Sequence, residues 1–273
     1  MTEIPSRLHR QNQYSIFDTY ENALDNKQNF KQFFEWYREW EDLENEQYRY
    51  NNRNEDTQLR AVRKALSLFL PGYDNLHIQR NPQAMVISKR DVIFNINQLS
   101  DGEKCYISLI GDLSRRLAIA NSVSDSPLDG NGIVLIDEIE LHLHPKWQME
   151  IISKLKQTFT NCQFFITTHS PLIVSDIQTE QVIFIKDGNK ITKGMSTYGK
   201  LVNDILIDHF EIEEPRSMEV QKQIEKAKDL LQNNQITEFQ KEIEQLESLL
   251  GRGDLDVIAL KIEAFKQNKS VNN

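Results

Sequence analysis

The sequence predicts an α/β fold with a parallel sheet core and a C-terminal helical hairpin, and three observations carry that prediction. Two short apolar runs, "IVLI" at 133–136 and "FFITT" at 164–168, each end in polar residues. Between them "KWQMEIISKLKQTF" repeats its apolar residues at helical steps, so strand, helix and strand make a βαβ unit. Such a unit implies a right-handed crossover and a parallel sheet buried on both faces. Toward the C-terminus, Val220, Ile224, Ala227 and Leu231 form one seam, and Ile236, Phe239, Ile243, Leu246 and Leu250 form another, on either side of "QNNQ". Two such seams predict an antiparallel helical pair, packed within the chain or offered to another subunit.

In chain order, residues 1–95 read as a helical region followed by a β-hairpin. Phe33, Trp36, Trp40 and Leu43 recur at steps of three and four among Glu35, Glu39, Glu41, Asp42, Glu44 and Glu46. Aromatics at this spacing can stack on bases, but their acidic company repels a phosphate backbone, which favours core packing. A second helix is expected from Thr57 to the stop at Pro71-Gly72, and "AMVIS" and "VIFNI", split by Lys89-Arg90, read as the hairpin. Residues 96–200 hold a long helix, "EKCYISLIGDLSRRLAIA", a loop, "SDSPLDGNG", and the βαβ unit. Residues 201–273 form a helical extension: the paired seams, a "GRGD" break, a last helix to Phe265 and a disordered tail, "KQNKSVNN".

The bulk composition narrows the class. With 273 residues, 27% charged and 39% hydrophobic, the chain can bury a sizeable core. A formal charge of -9 argues against a surface that grips nucleic acid directly, so any such role requires a local basic patch or a partner. Cys105 and Cys162 lack metal-type spacing and are expected as buried free thiols in a reducing compartment. The N-terminus has no apolar core of signal-peptide length, and no segment has the apolar run that a membrane span needs. A cytoplasmic protein is the expectation.

Parallel sheets bind ligands at the carboxyl ends of their strands, where Asp137-Glu138 and His169 fall. Each is unremarkable alone, since acidic pairs end strands and histidines cap turns. Together they suit magnesium-dependent phosphoryl chemistry: Asp137 for the hydrated ion, Glu138 to polarise a water and His169 to orient it against a terminal phosphate. Ser100 and Glu103 stand at capping-box spacing. The same helix tip, with the Ser100 hydroxyl and a Gly102 that permits close approach, also makes an anion site. Both readings stay open.

The run "LSDGEK", then "GIVLIDEIELHLHP", then "QFFITTHSP" resembles the C-terminal half of an ABC-type nucleotide-binding domain: signature motif, Walker B strand, D-loop and switch histidine, in that order. The Glu-Leu-His-Leu-His-Pro continuation is similar to AAA ATPases related to the SMC, RecF and OLD proteins. The "FEWYREWED" helix and "YGKLVNDIL" resemble the ATPases of Septu and retron-linked phage-defence systems. The resemblance implies ATP and Mg2+ as cofactors. It implies that Ser100 and Gly102, within the Ser100-Asp101-Gly102-Glu103 signature, contact the γ-phosphate bound to an opposite subunit. By the same resemblance Asp137 serves the metal, Glu138 is the base, His169 is the switch, and His144 with Pro145 belongs to the D-loop. Asp101 replaces the glycine usual in transporters and must point outward if the site works. The His142/His144 pair can also be read as metal ligands, but no third ligand stands nearby.

A complete site also needs a Walker A loop. Only Gly194 to Leu201, "GMSTYGKL", has the glycine–lysine spacing, and it fails: Leu201 stands where a hydroxyl must meet magnesium, and no apolar strand leads into it. The expected partner is therefore a second ATPase chain, or an N-terminal half, carrying Walker A, in a homo- or hetero-oligomer. An HNH-type nuclease is the effector such defence systems suggest. The rival reading is a non-catalytic scaffold that binds a partner through its helical extension; an intrinsic nuclease lacks a dense carboxylate cluster.

Overall fold

A computed structural model describes residues 14–24, 30–50, 55–191, 196–210, 212 and 216–271, for 268–271 the backbone alone. The chain divides into two compact units, Met1–Ile205 and Leu206–Asn273.

The first unit opens with α1 (Phe30–Arg49), which buries Phe30, Phe33, Phe34, Trp36 and Tyr37. Further along, the expected seam fails: Leu43 is exposed and Trp40 only packs at the edge, while Glu41 and Glu44 are buried. The carboxylates win those positions because each is fully engaged, as a buried charge must be. Glu41 accepts the Ile78 N–H at 3.1 Å and pairs with Arg80 at 3.1 Å. Glu44 pairs with Arg63 at 2.9 Å and accepts the Asp56 N–H at 2.9 Å. Helix α2 (Thr57–Phe69) is capped by Asp56, whose side chain accepts from the Gln58 and Leu59 amides, and it ends just before Pro71-Gly72.

An antiparallel sheet follows, ordered β1 (Tyr73–Arg80), β2 (Gln83–Lys89), β3 (Val92–Asn95). The expected hairpin is thus β2 and β3, the central strand and one edge of a three-stranded sheet. Strand β1 escapes sequence reading because an irregularity between Asp74 and His77 breaks its alternation, so its core residues are Tyr73, Leu76 and Ile78. Helix α3 (Asp101–Ala120) buries Tyr106, Ile107, Ile110, Leu117 and Ala118. It meets α1 so closely at Gly111 that a Cβ there would stand 2.8 Å from the Phe33 ring.

The βαβ unit is present as β4 (Gly132–Ile136), α4 (Pro145–Thr158) and β5 (Cys162–Ile166). Its strands pair in parallel from Gly132↔Cys162 to Ile136↔Ile166. The expectation of two buried faces is overturned. Ile136, Phe164 and Ile166 pack on the core, whereas Ile133 is 73%, Leu135 66% and Phe165 53% exposed. Both strands are largely apolar, but nothing among the described residues covers their second face. Cys105 and Cys162 form no disulfide and are half-buried rather than fully buried. Next come the short α5 (Pro171–Val174) and a small hairpin of β6 (Phe184–Lys186) and β7 (Asn189–Ile191), turned at Asp187-Gly188 with positive φ at both. Helix α6 (Val202–Phe210) follows.

In the second unit α7 (Met218–Gln232) and α8 (Ile236–Leu250) make the helical hairpin, with α9 (Leu255–Val271) packed on it. Their core is Ile224, Ala227, Leu231, Phe239, Ile243, Leu246, Val257 and Leu260. The tail expected to be disordered is helical as far as Val271, and residues 272–273 lie outside the described residues. No described helix is long and apolar enough to cross a membrane.

Candidate functional site

The two strands of the parallel sheet deliver three of the expected residues to one edge. Asp137 and Glu138 follow β4, His169 follows β5, and all three are exposed. Thr167 ties the ends together: its hydroxyl donates to Asp137 Oδ1 and accepts the Glu138 N–H at 2.9 Å. Glu138 has φ +47°, a left-handed backbone that a non-glycine residue adopts rarely and at a cost, often at functional positions. The pleat pairs Ile136 with Ile166, so the polar residues after each strand lie side by side.

The turn after β5 is held just as firmly. Glu140 accepts the His169 N–H at 2.6 Å through Oε1 and the Thr168 hydroxyl at 2.7 Å through Oε2. The Ser170 hydroxyl donates to Gln148 Oε1 at 2.7 Å, and Gln148 Nε2 donates to the Leu143 carbonyl at 2.9 Å. These bonds fasten the segment 167–170 to the loop that joins β4 to α4.

Hard oxygen donors at Asp137, Glu138 and Thr167 fit magnesium, which takes one or two carboxylates and keeps waters and substrate phosphates around it. Among the described residues no group of three or more His, Cys, Asp or Glu is placed to hold an ion unaided. His144 caps α4 instead, its Nδ1 accepting the Lys146 N–H at 3.2 Å, with Pro145 at the first helical position.

At the other end of the expected site, Ser100 caps α3. Its hydroxyl accepts the Glu103 N–H at 3.3 Å and donates to Glu103 Oε2 at 2.8 Å, while its own N–H donates to that oxygen at 2.9 Å. Glu103 Oε1 receives the Tyr73 hydroxyl and lies 3.5 Å from Lys89 Nζ. Partial burial pushes the Glu103 carboxyl up, but hydrogen bonds from Tyr73 and Ser100 and the Lys89 charge outweigh it and hold the group below the usual range. Lys89 also donates to the Tyr73 hydroxyl at 2.9 Å, which raises its own pKa. Asp101 points outward, with a side chain 79% exposed and paired to Lys104 at 3.3 Å.

Gly102 joins the two halves. A Cβ there would stand 2.6 Å from the His142 carbonyl oxygen and 3.2 Å from the Trp147 ring, so only glycine fits. His142 has φ +63°, which turns that carbonyl toward α3. One turn later Tyr106 stacks on Trp147 at 4.8 Å and bonds its carbonyl at 3.4 Å. The helix tip is seated on the loop that leaves the carboxylates.

Asp137, Glu138 and His169 are therefore brought together, and Ser100, Asp101, Gly102 and Glu103 form a second cluster joined to them through the loop at His142 and His144. Sequence reading missed Thr167, Thr168, Glu140, Gln148, Tyr73 and Lys89. The polar Thr-Thr after an apolar strand was the one local signal; the others act across 14 to 30 residues of chain. The rejected Walker A candidate begins at Gly194, outside the described residues. Its end lies in a turn before α6, where Gly199 donates its N–H to the Ser175 carbonyl at 3.0 Å.

Comparison with known proteins gives the same direction. "Retron Ec83 probable ATPase" of Escherichia coli is 37% identical over 212 residues, covering 77% of this chain and 39% of that protein. "Retron Vc95 probable ATPase" of Vibrio cholerae serotype O1 biovar El Tor is 34% identical over 261 residues, with coverages of 78% and 51%. "Septu protein PtuA" of Bacillus mycoides (strain KBAB4) is 38% identical over 129 residues, 46% of this chain and 17% of that protein. The chain spans about half the length, or less, of these relatives. A family profile described as "AAA domain, putative AbiEii toxin, Type IV TA system" matches residues 3–175, well over half of the chain and both clusters of the site. With the strand-end carboxylates, the histidine and the capped helix all inside that match, the chain belongs to this AAA domain family.

Proposed function

We propose that this chain is the Walker B and signature portion of an ATP-hydrolysing subunit in anti-phage defence, a switch that closes when ATP bridges two subunits. The observation that supports the reading is the placement of Asp137, Glu138 and His169 just beyond the ends of adjacent parallel strands, with Thr167 bonded to the two acids and Glu140 to the His169 N–H. Asp137 would hold the ion's water shell and Glu138 would polarise the attacking water. His169 would touch a terminal phosphate oxygen. Bound with the nucleotide, magnesium would supply charge neutralisation at the phosphates. Ser100 would exchange its bond to Glu103 for a phosphate oxygen presented by the opposite subunit, which unites the capping and phosphate readings of the helix tip.

The missing phosphate cradle would come from a Walker A-bearing segment, in another chain or in a longer form of this one. The bare face of Ile133, Leu135 and Phe165 supports this, because a parallel sheet is stable when both faces are covered. Closure and reopening would act on an effector, for which an HNH-type nuclease is our proposal, through the α7–α8 hairpin.

The test mixes this chain with a separate polypeptide bearing a GxxxxGK[ST] loop and follows phosphate release and association, for native Glu138 and Glu138→Gln. Glu138→Gln should keep ATP-dependent association and lose about 100-fold or more of turnover, the usual share of a general base. Full turnover by the isolated chain, or undiminished turnover with Glu138→Gln, would overturn the reading.

A further inference from the structure

Glu140 is the carboxylate of the "DEIE" run that the reaction itself leaves without a role. It is half-buried, and both its oxygens are spent on the segment after β5: Oε1 on the His169 N–H at 2.6 Å, Oε2 on the Thr168 hydroxyl at 2.7 Å. Thr168 Oγ1 in turn accepts the Ser170 N–H at 3.0 Å. Three consecutive residues of that turn are thus set, directly or through Thr168, by one side chain 28 to 30 positions away. Two residues beyond Glu140, the His142 carbonyl bears on Gly102, with φ +63° at His142.

We propose that Glu140 is a positioning residue that aims His169 and couples it to the Ser100 helix tip. Resting on the proposed ATPase reading, the inference names how one half of the site reports to the other. A backbone N–H has one direction, so a carboxylate clamped on it sets where the His169 imidazole leaves the chain. The hydrogen bond is to a charged acceptor and short, the stronger kind. Any shift of His169 on contact with or loss of phosphate must move Glu140 or break that bond. Moving Glu140 moves the loop whose His142 carbonyl lies so close to Gly102 that a Cβ would not fit between them. The carboxylate thereby makes the histidine turn and the α3 tip one mechanical unit.

The chemistry of the clamp predicts a graded series. In Glu140→Gln the amide carbonyl can still accept the His169 N–H, and its NH2 can donate to the Thr168 oxygen once that hydroxyl turns. In Glu140→Ala both bonds are lost. Amide hydrogen exchange and NMR on the isolated full chain read this directly. Glu140→Ala should speed exchange at His169 and Ser170 by about tenfold or more, the factor expected from a hydrogen bond to a charged group. It should also shift the Glu103 and Lys104 amide resonances, with a melting midpoint near that of the native chain. Glu140→Gln should return exchange to within about threefold of native, because the bonds persist with less charge. In the ATP-hydrolysing assembly Glu140→Ala should lower kcat by about tenfold with KM for ATP nearly unchanged, and Glu140→Gln should restore most of it.

Unchanged exchange at His169 in Glu140→Ala would overturn the positioning role. Exchange that rises there while the Glu103 and Lys104 resonances stay fixed would overturn the coupling. Absence of ATP turnover in every assembly would instead sink the proposed function, while the exchange measurements still decide the role of Glu140.

Discussion

Gly102 lies so close to His142 that a methyl group on its Cα would sit 2.6 Å from the His142 carbonyl oxygen. Neither side can retreat easily: Gly102 is in the first turn of a helix, and His142 holds a left-handed backbone at φ +63°. Gly102→Ala is therefore expected to destabilise the chain by about 1–3 kcal/mol, the range for overpacking a close contact. Urea unfolding of native and variant chains checks it; an unchanged midpoint would mean that the helix tip is free to slide off the loop.

The Ser100–Glu103 cap gives a second expectation. Ser100→Ala removes the hydroxyl that receives the Glu103 N–H and should cost about 1 kcal/mol. A change of about fivefold in the folding equilibrium is easily measured, so a cost below a few tenths of a kcal/mol would show the cap to be idle.

The pH dependence of that cap follows from the Glu103 carboxyl, which the fold holds below its ordinary value. A depressed acid binds fewer protons when folded, so its contribution is fully present above the unfolded value of about 4.3 and fades as pH falls through the lower folded value. Glu103→Gln should narrow the stability difference from native as the pH drops through that window. A gap that stays constant from neutral pH into strong acid would contradict the assignment.

On the open sheet face, Leu135→Thr and Phe165→Thr keep the β-preference and remove apolar surface from positions 66% and 53% exposed. The isolated chain should change by less than about 0.5 kcal/mol, as for other exposed substitutions. Association with the Walker A-bearing segment should weaken sharply, which light scattering or co-elution reads. Equal association by the double variant would move the docking surface elsewhere.

Close approach of α1 and α3 makes a fifth case. Gly111→Ala brings a methyl within 2.8 Å of the Phe33 ring and should cost about 1–3 kcal/mol. Phe33→Leu opens space at the same point, so the two changes together should cost less than the sum of each alone. Strict additivity in a double-mutant cycle would argue that the contact is already relaxed.

Much of the chain was legible before any coordinates. Strands β4 and β5, the helix between them, the start of α3 at Ser100 and the α7–α8 hairpin follow from periodicity and end signals that are local in sequence. Strand β1 was hidden because its irregularity moves Leu76 and Ile78 out of phase with Tyr73. Glu41 and Glu44 are buried in place of Leu43 because their ion pairs, to Arg80 and Arg63 respectively, come from segments that no local pattern in α1 reveals.

By itself, then, the amino-acid order determined which residues end the parallel strands and which serine begins α3, since strand ends and helix caps are written within a few neighbouring positions. Tertiary structure alone decided that Thr167 and Glu140 bind those ends together, that Gly102 is wedged on His142, and that Ile133, Leu135 and Phe165 face outward. The physical reason is distance along the chain. A hydrogen bond across a strand register, a contact too tight for a methyl and the covering of a sheet face all depend on which remote segment arrives, and periodicity carries no record of that arrival.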